Sequence, residues 1–444
     1  MSLSVPQPLL SAAATAPGRL AVEAEDGSAS FAALAEATLA RAGWLDAHGV
    51  GPGARVALVA EPSLAFVEAF FAVMATGALV APLDPQAGDQ ERRDTLLRLS
   101  PTHTYLPKDI GRAAPLPERF LDLEAPLLAL STSGSSGAPR VITLQVSQVL
   151  FSAMGSALRL GHHLDDRWLL CLPLHHVGGL SILIRAAWGA TSVQMLPRFS
   201  ARQAAARLDS GTISLVSVVP AMLDAILKAR VEAPFPRALR AILLGGDRAP
   251  PELLRRAASI QAPVWLTWGM TETSSQVATG PALPGASAVG APLAFARVEA
   301  GGDGALSVRG PLAAGGQFLT ADRGAVTPEG LVIVEGRRDL AFITGGENVD
   351  PARVESALTA HPDVASALVL PLPDPHLGSV PAAVLVPRGD KRPSPEELSI
   401  ALAPSIPRHE HPRRVAWVEA LPRSSAGKPS RDSARRLFFQ EESR

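Results

Sequence analysis

The chain holds a single cysteine, Cys171, among 444 residues. No internal disulfide and no multi-cysteine metal site is available to it, and a reducing compartment fits. Net charge is almost missing: 41 Lys and Arg against 42 Asp and Glu leave a formal −1. That balance argues against electrostatic nucleic-acid binding and against a disordered acidic tail. Lysine is scarce as well, with only Lys108, Lys228, Lys391 and Lys428 among the basic residues. A lysine therefore stands out wherever one was kept. Long hydrophobic runs are lacking. The most membrane-like stretch, Ala65–Leu83, is interrupted by Glu68, Gly77 and Pro82 and reads as a buried helix followed by a buried strand. The N-terminal segment has neither the basic start nor the apolar core of a secretory signal, so a soluble, cytoplasmic protein is expected. No period of 20 to 50 residues is visible, which excludes solenoids and propellers.

What is present is a large apolar complement, 47% against 19% charged, enough for a substantial core. Helical patterns alternate with short apolar, β-branched runs. Expected strands at Arg55–Ala60, Ala78–Leu83, Ile213–Val219, Leu239–Leu244 and Val264–Thr267 alternate with helices at Phe31–Asp46, Leu64–Thr76, Ala201–Leu208, Ala221–Ala229 and Pro251–Ile260. Ser30 is a candidate cap for the first helix. Such βα units imply an α/β fold with parallel sheets covered on both faces. After Gly301 the strands become short and hairpin-linked. Beyond Gly336 comes a compact segment with helices Pro351–Ala360 and Pro395–Leu402 and strands Ala365–Pro371 and Ala382–Val386, ending in a loop and a basic tail. A boundary is expected at 337/338, giving a larger domain over 1–337 and a small α+β domain over 338–444.

Four segments suggest chemistry. LSTSGSSGAPR (Leu130–Arg140) offers backbone N–H groups and hydroxyls of the kind that hold phosphate oxygens. Its spacing fits neither a Walker A loop nor a serine-hydrolase elbow, and alone it reads equally well as a surface loop. TWGMTET (Thr267–Thr273) follows a strand end, where open α/β sheets bind ligands, and Glu272 suits Mg²⁺; an ordinary polar turn is the rival reading. GRRDLAFITGGENVDPARVE (Gly336–Glu355) and LPRSSAGKPSR (Leu421–Arg431) read, in isolation, as turns and a tail. The clusters His162, His163, Asp165, Asp166 and His409, His411 match no ligand spacing and read as polar loops.

Taken together and in order, these segments resemble the adenylate-forming superfamily of acyl- and aryl-CoA ligases, peptide-synthetase adenylation domains and beetle luciferases. PLHHVGG (Pro173–Gly179), LLGGDRAP (Leu243–Pro250) and FLTADRG (Phe318–Gly324) are similar to further segments of that family. The resemblance implies a large N-terminal domain with parallel sheets and a distorted β-barrel region, followed by a small mobile lid. It implies that Thr132, Ser133, Gly134, Ser135, Ser136 and Gly137 hold the β- and γ-phosphates of ATP, with Arg140, Gly245, Gly246 and Gly269 also lining the nucleotide site. Trp268 would stack on adenine, Thr271 contact the α-phosphate, Glu272 bind Mg²⁺, Asp322 take the ribose hydroxyls and Arg337 support ribose or phosphate. His176 would stand beside the acyl carboxylate, Asp339 would be the hinge, and Lys428 would bridge carboxylate and α-phosphate. A lysine suits that last task, acting as a point charge between two oxygens.

The implied activity is ATP-dependent joining of a carboxylic acid to coenzyme A through an acyl-adenylate. Arg185, nine residues after His176 in an apolar helical run, should meet an anion, because an unpaired buried guanidinium is costly; a snorkelling arginine is the alternative. The segment, like WGMTETSSQVAT, is similar to the subgroup that activates 2-succinylbenzoate for menaquinone biosynthesis, so that acid is expected. The other readings are a different acyl- or aryl-CoA ligase, an adenylation enzyme that loads a carrier protein, and a non-catalytic nucleotide-binding homologue. Expected partners are the acid, ATP, Mg²⁺ and CoA, with no nucleic acid or membrane and homodimerisation left open. Four departures accompany the match: Arg140 for a lysine, Ala321 for a glycine, Asp247 where a small residue is common, and no Thr-His pair after the phosphate loop.

Overall fold

In this computed structural model, residues 3–132, 140–230, 232–283, 288–424 and 427–440 are described. Strands His103–Tyr105, Arg55–Val59, Leu79–Leu83, Pro126–Thr132 and Arg140–Gln145 form one sheet in that order. Its first four strands run parallel and the last antiparallel. The helix Leu64–Ala75 is apolar on every side and is accordingly buried from Phe66 to Ala75. Its one charge, Glu68, is matched by Arg41 at 2.7 Å and Arg112 at 3.3 Å. Gly77, at φ +78°, turns the chain from this helix into Leu79–Leu83, a conformation a side chain would strain.

The second sheet is longer. Strands Ser192–Met195, Arg167–Leu170, Leu215–Val218, Ala241–Leu244 and Val264–Met270 are parallel neighbours. Their near-continuous burial is what the apolar runs anticipate for strands covered on both faces. At Val264–Met270 the pairing changes to antiparallel with Ser275–Pro281. From there Ala288–Pro292, Val332–Arg337, Gln317–Val326, Ala305–Arg309 and Arg297–Ala300 extend the same sheet. The barrel-like region anticipated from the sequence corresponds to these antiparallel strands.

The C-terminal part has its own sheet, Val364–Asp374, Gly378–Pro387 and Arg414–Trp417. Helices Pro351–Thr359 and Pro395–Leu402 bury Val354, Leu358, Leu398 and Leu402 together in one cluster with strand residues. Both helices are capped as their sequences require. Asp350 accepts from the N–H of Ala352, and Ser394 and Glu397 form a reciprocal capping box. The basic tail expected after Lys428 is instead the helix Arg431–Gln440. Ala434 and Phe438, one turn apart, pack in a second cluster with Leu370 and Val384. A short charged segment gains helicity from that apolar contact rather than from its own propensity. Among the described residues no helix is long and apolar enough to cross a membrane.

Candidate active site

The site is built where strand ends of the long sheet meet the C-terminal part. Strand Ala241–Leu244 ends in Gly245 and Gly246. A Cβ at Gly245 would lie 2.5 Å from Cγ2 of Thr267, and Gly246 has φ +81°. Both positions therefore need glycine, for close approach and for backbone conformation. The neighbouring strand leads through Trp268 and Gly269 into the 3₁₀ turn Thr271–Thr273. A Cβ on Gly269 would fall 1.6 Å from the carbonyl oxygen of Ser275, so the hairpin closes only over glycine.

The helix Val146–Leu160 anchors this turn from below. Gln148 donates from Nε2 to the carbonyls of Glu272 and Leu312, both at 3.0 Å, and Ser152 donates to the carbonyl of Ser274 at 2.6 Å. Reading the sequence by motif misses Gln148 and Ser152, because each acts on backbone remote in the chain. The strand Arg140–Gln145 packs on the same turn. Thr132 and Arg140 are direct cross-strand partners and flank the Ser/Gly segment in the chain. Ser133, Gly134, Ser135, Ser136 and Gly137 themselves lie outside the described residues.

Trp268 is buried, and its Nε1 donates to Oδ2 of Asp322 at 2.8 Å. Asp322 in turn stands opposite Arg337 across two strands. Burial raises the Asp322 carboxyl above its ordinary range, with the Trp268 hydrogen bond and the Arg337 charge opposing. Arg337 is locked to Asp339 by two parallel bonds, Nε to Oδ1 at 2.9 Å and Nη2 to Oδ2 at 2.6 Å. That pair raises the Arg337 pKa, so the guanidinium is permanently charged.

Lys428 enters this cleft from the C-terminal part, its Cε 3.5 Å from where a Cβ of Gly246 would be. Surrounding protein displaces bulk water on one side and lowers its pKa. Asp247, Asp322 and Glu272 oppose that shift, while Arg337 adds to it. The side chain still reaches solvent on the open side, and among the described residues the ammonium makes no ion pair. His176, at the N-terminus of helix Val177–Gly189, completes the cleft. Burial, then His175 and Lys428, push its pKa down to about 3, so the ring is neutral at physiological pH. Its neighbour His175 sits 3.5 Å from Oδ2 of Asp84, a partner that no motif in the sequence indicates.

The His176 shift has a consequence for stability. The folded state takes up fewer protons than the unfolded chain below the ordinary histidine pKa, so stability falls as pH drops from about 6.5 toward about 3. His176→Gln is expected to shallow that decline, read as melting temperature against pH; an unchanged slope would contradict the burial of a neutral ring.

Arg185 lies apart from the Lys428 cluster. It is 8% exposed, donates to Oγ of Ser275 at 3.3 Å, and has a buried Nε with no partner. Burial lowers its pKa to about 10, which leaves it a cation at neutral pH. It makes no ion pair among the described residues. The snorkelling alternative does not hold, since the guanidinium is not in solvent. Among the described residues no group of His, Cys, Asp and Glu could hold a metal ion by itself. Asp166 of the histidine-rich loop is paired with Arg240 at 2.5 Å instead.

A strand-end cleft thus gathers Trp268, Asp322, Arg337, Lys428 and the glycine-dependent turn, and the chain belongs to the AMP-binding enzyme family. Residues 9–102 and 92–316 match that family, and residues 353–428 match the AMP-binding enzyme C-terminal domain. Among its relatives is the 2-succinylbenzoate–CoA ligase of Bacillus cereus strain Q1, 31% identical over 477 residues spanning 98% of this chain and 99% of that one. The fold is similar to o-succinylbenzoate CoA synthetase from Bacillus subtilis in complex with the acyl-adenylate intermediate OSB-AMP. The TM-score is 0.87 at 28% identity, over 98% of each chain. The same synthetase in complex with ATP and magnesium ion also aligns with a TM-score of 0.87, at 29% identity, over 98% of this chain and 100% of that one.

Proposed function

We propose that the chain is an AMP-forming acid–CoA ligase and that its acid is 2-succinylbenzoate, for the menaquinone pathway. The observation that carries the ligase reading is Lys428 set against the Gly246 turn, without an ion pair among the described residues and within reach of the charges of Asp247, Arg337, Asp322 and Glu272. In the first half-reaction a carboxylate oxygen of the acid attacks the α-phosphorus of ATP, and the bond to pyrophosphate breaks. In the second, the CoA thiolate attacks the acyl carbon and the bond to AMP breaks. The barrier in the first step is mostly repulsion between anions, so positioned positive charge is the main catalytic need.

In this reading Lys428 bridges the attacking carboxylate and the α-phosphate. Thr271 donates to the α-phosphate, Thr132 and Arg140 flank the other phosphates, and Gly245, Gly246 and Gly269 let the nucleotide approach the backbone. Trp268 backs the adenine and, through Nε1, fixes Asp322 to accept the ribose hydroxyls. Arg337 supports the ribose, and neutral His176 stands beside the acyl carboxylate. Glu272, a half-buried carboxylate whose field reaches Lys428 and Arg337, fits a hard cation that takes one carboxylate and phosphate oxygens. Mg²⁺ held there would neutralise phosphate charge. Arg185 meets the second carboxylate of the dicarboxylic acid. The test is ATP–pyrophosphate exchange with a panel of aryl and alkyl acids. Preference for 2-succinylbenzoate is expected; preference for a monocarboxylic acid removes the substrate, and no exchange with any acid removes the ligase reading.

The domains divide at 337/338 in this reading, between the end of strand Val332–Arg337 and the turn Arg338–Leu340. Asp339 is the pivot on which 338–444 reorients between half-reactions. Asp339→Pro removes an N–H and fixes φ, and is expected to slow thioester formation ~10-fold more than adenylation, a gating effect. Equal loss of both half-reactions would remove the hinge assignment.

A further inference from the structure

The loop after strand Ala241–Leu244 carries Asp247 where the family resemblance leads one to expect a small residue. Asp247 accepts one hydrogen bond, from the N–H of Arg248 at 2.8 Å, and among the described residues it makes no ion pair. Across the cleft Gly427 and Lys428 rest on the ends of two adjacent parallel strands. A Cβ on Gly427 would lie 3.1 Å from Cγ2 of Val219, and one on Gly246 lies 3.5 Å from Cε of Lys428. Val219 and Gly246 follow strands paired in register, Val218 opposite Leu244.

That contact sets Lys428 beside Gly246, the residue before Asp247. The charges of Lys428, Arg423 and Arg431 all act on the Asp247 carboxylate, although Arg423 donates to the carbonyl of Gly427 and Arg431 to Glu355 and the carbonyl of Val369. Glu355, the nearby acid of the smaller domain, is already committed. It is paired with Arg431 at 2.5 Å and accepts from the N–H of Val369 at 2.9 Å. Asp247 is also the strongest of the carboxylates that sustain the Lys428 ammonium against loss of bulk water.

We infer that Asp247 is a positioning residue for adenylation: its carboxylate holds the Lys428-bearing loop in the cleft by attraction to Lys428, Arg423 and Arg431, without touching substrate. The inference rests on the ligase reading and on the role of Lys428 in it. The attraction acts across an open, partly hydrated cleft, so it is medium-range and screened by salt. It biases a domain orientation more than it stabilises the fold. Once the domain reorients for the second half-reaction the contact is broken, so Asp247 should matter in one half-reaction only.

The experiment compares Asp247→Asn and Asp247→Glu with the wild-type enzyme in two assays. One is ATP–pyrophosphate exchange; the other is thioester formation from supplied acyl-adenylate and CoA. Asp247→Asn is expected to lower the exchange kcat about tenfold, with the KM for the acid little changed. Thioester formation should stay within about twofold, because orientation and not chemistry is altered. Asp247→Glu should recover most of the exchange rate. Added salt should lower wild-type exchange and leave that of Asp247→Asn nearly flat. Exchange unchanged in Asp247→Asn, equal loss in both assays, or no recovery in Asp247→Glu overturns the inference. Should Asp247→Asn fold poorly, the wild-type salt response decides, since thioester formation that falls as steeply as exchange overturns it. Absence of exchange in the wild-type enzyme with every acid would instead strike the ligase reading.

Discussion

Lys428→Ala is expected to lower ATP–pyrophosphate exchange by ~10²-fold or more, the scale for losing one aimed electrostatic donor. The lysine contributes no apolar packing that the fold depends on, since it reaches solvent at the cleft mouth. Melting temperature should therefore stay near that of the wild-type enzyme. Supplied acyl-adenylate should still be converted to thioester, because in the proposed scheme the Lys428 loop has left the cleft by then. Lys428→Arg should rescue poorly. A guanidinium is a planar fork of fixed geometry, whereas this position asks for one compact charge shared by two oxygens. Normal exchange in the alanine variant would remove the assigned role.

Arg185→Met carries the second large effect. Methionine keeps most of the volume and drops a buried charge that has no ionic partner among the described residues. A lone buried cation costs stability, so the variant is expected to melt at or above the wild-type temperature. If the anion that completes this site is the second carboxylate of 2-succinylbenzoate, the KM for that acid should rise ~30-fold or more, as for truncating one partner of a buried charge pair. A residue that weakens the fold yet improves ligand binding is the signature of a functional site. A fall in melting temperature with unchanged KM would mark Arg185 as structural.

Much of the site was legible before the structure. Gly245, Gly246, Gly269, Thr271, Glu272, Asp322, Arg337 and Lys428 all lie in segments that carry the family resemblance, and of these the Thr267–Thr273 segment is also legible locally as a turn at a strand end. What could not be read were side chains that act across the chain. Gln148 and Ser152 hold backbone more than a hundred residues away. Trp268 was visible as an aromatic, but not its bond to Asp322. Asp247 is visible as a departure, but not the three cations whose charge reaches it. The terminal helix Arg431–Gln440 escaped because its propensity is weak and its stabilising partners, Leu370 and Val384, come from another segment.

The sequence by itself determined the alternation of elements, the two-domain order and the chemical kinds of group available, because periodicity and turn chemistry are local properties of the chain. The tertiary structure alone decided which groups meet. It set Asp322 against Trp268, committed Glu355 to Arg431, left Lys428 and Arg185 without ionic partners among the described residues, and gave His176 its neutral ring. Each of those outcomes depends on distance and on the removal of water, and neither quantity exists until strands far apart in sequence are packed side by side.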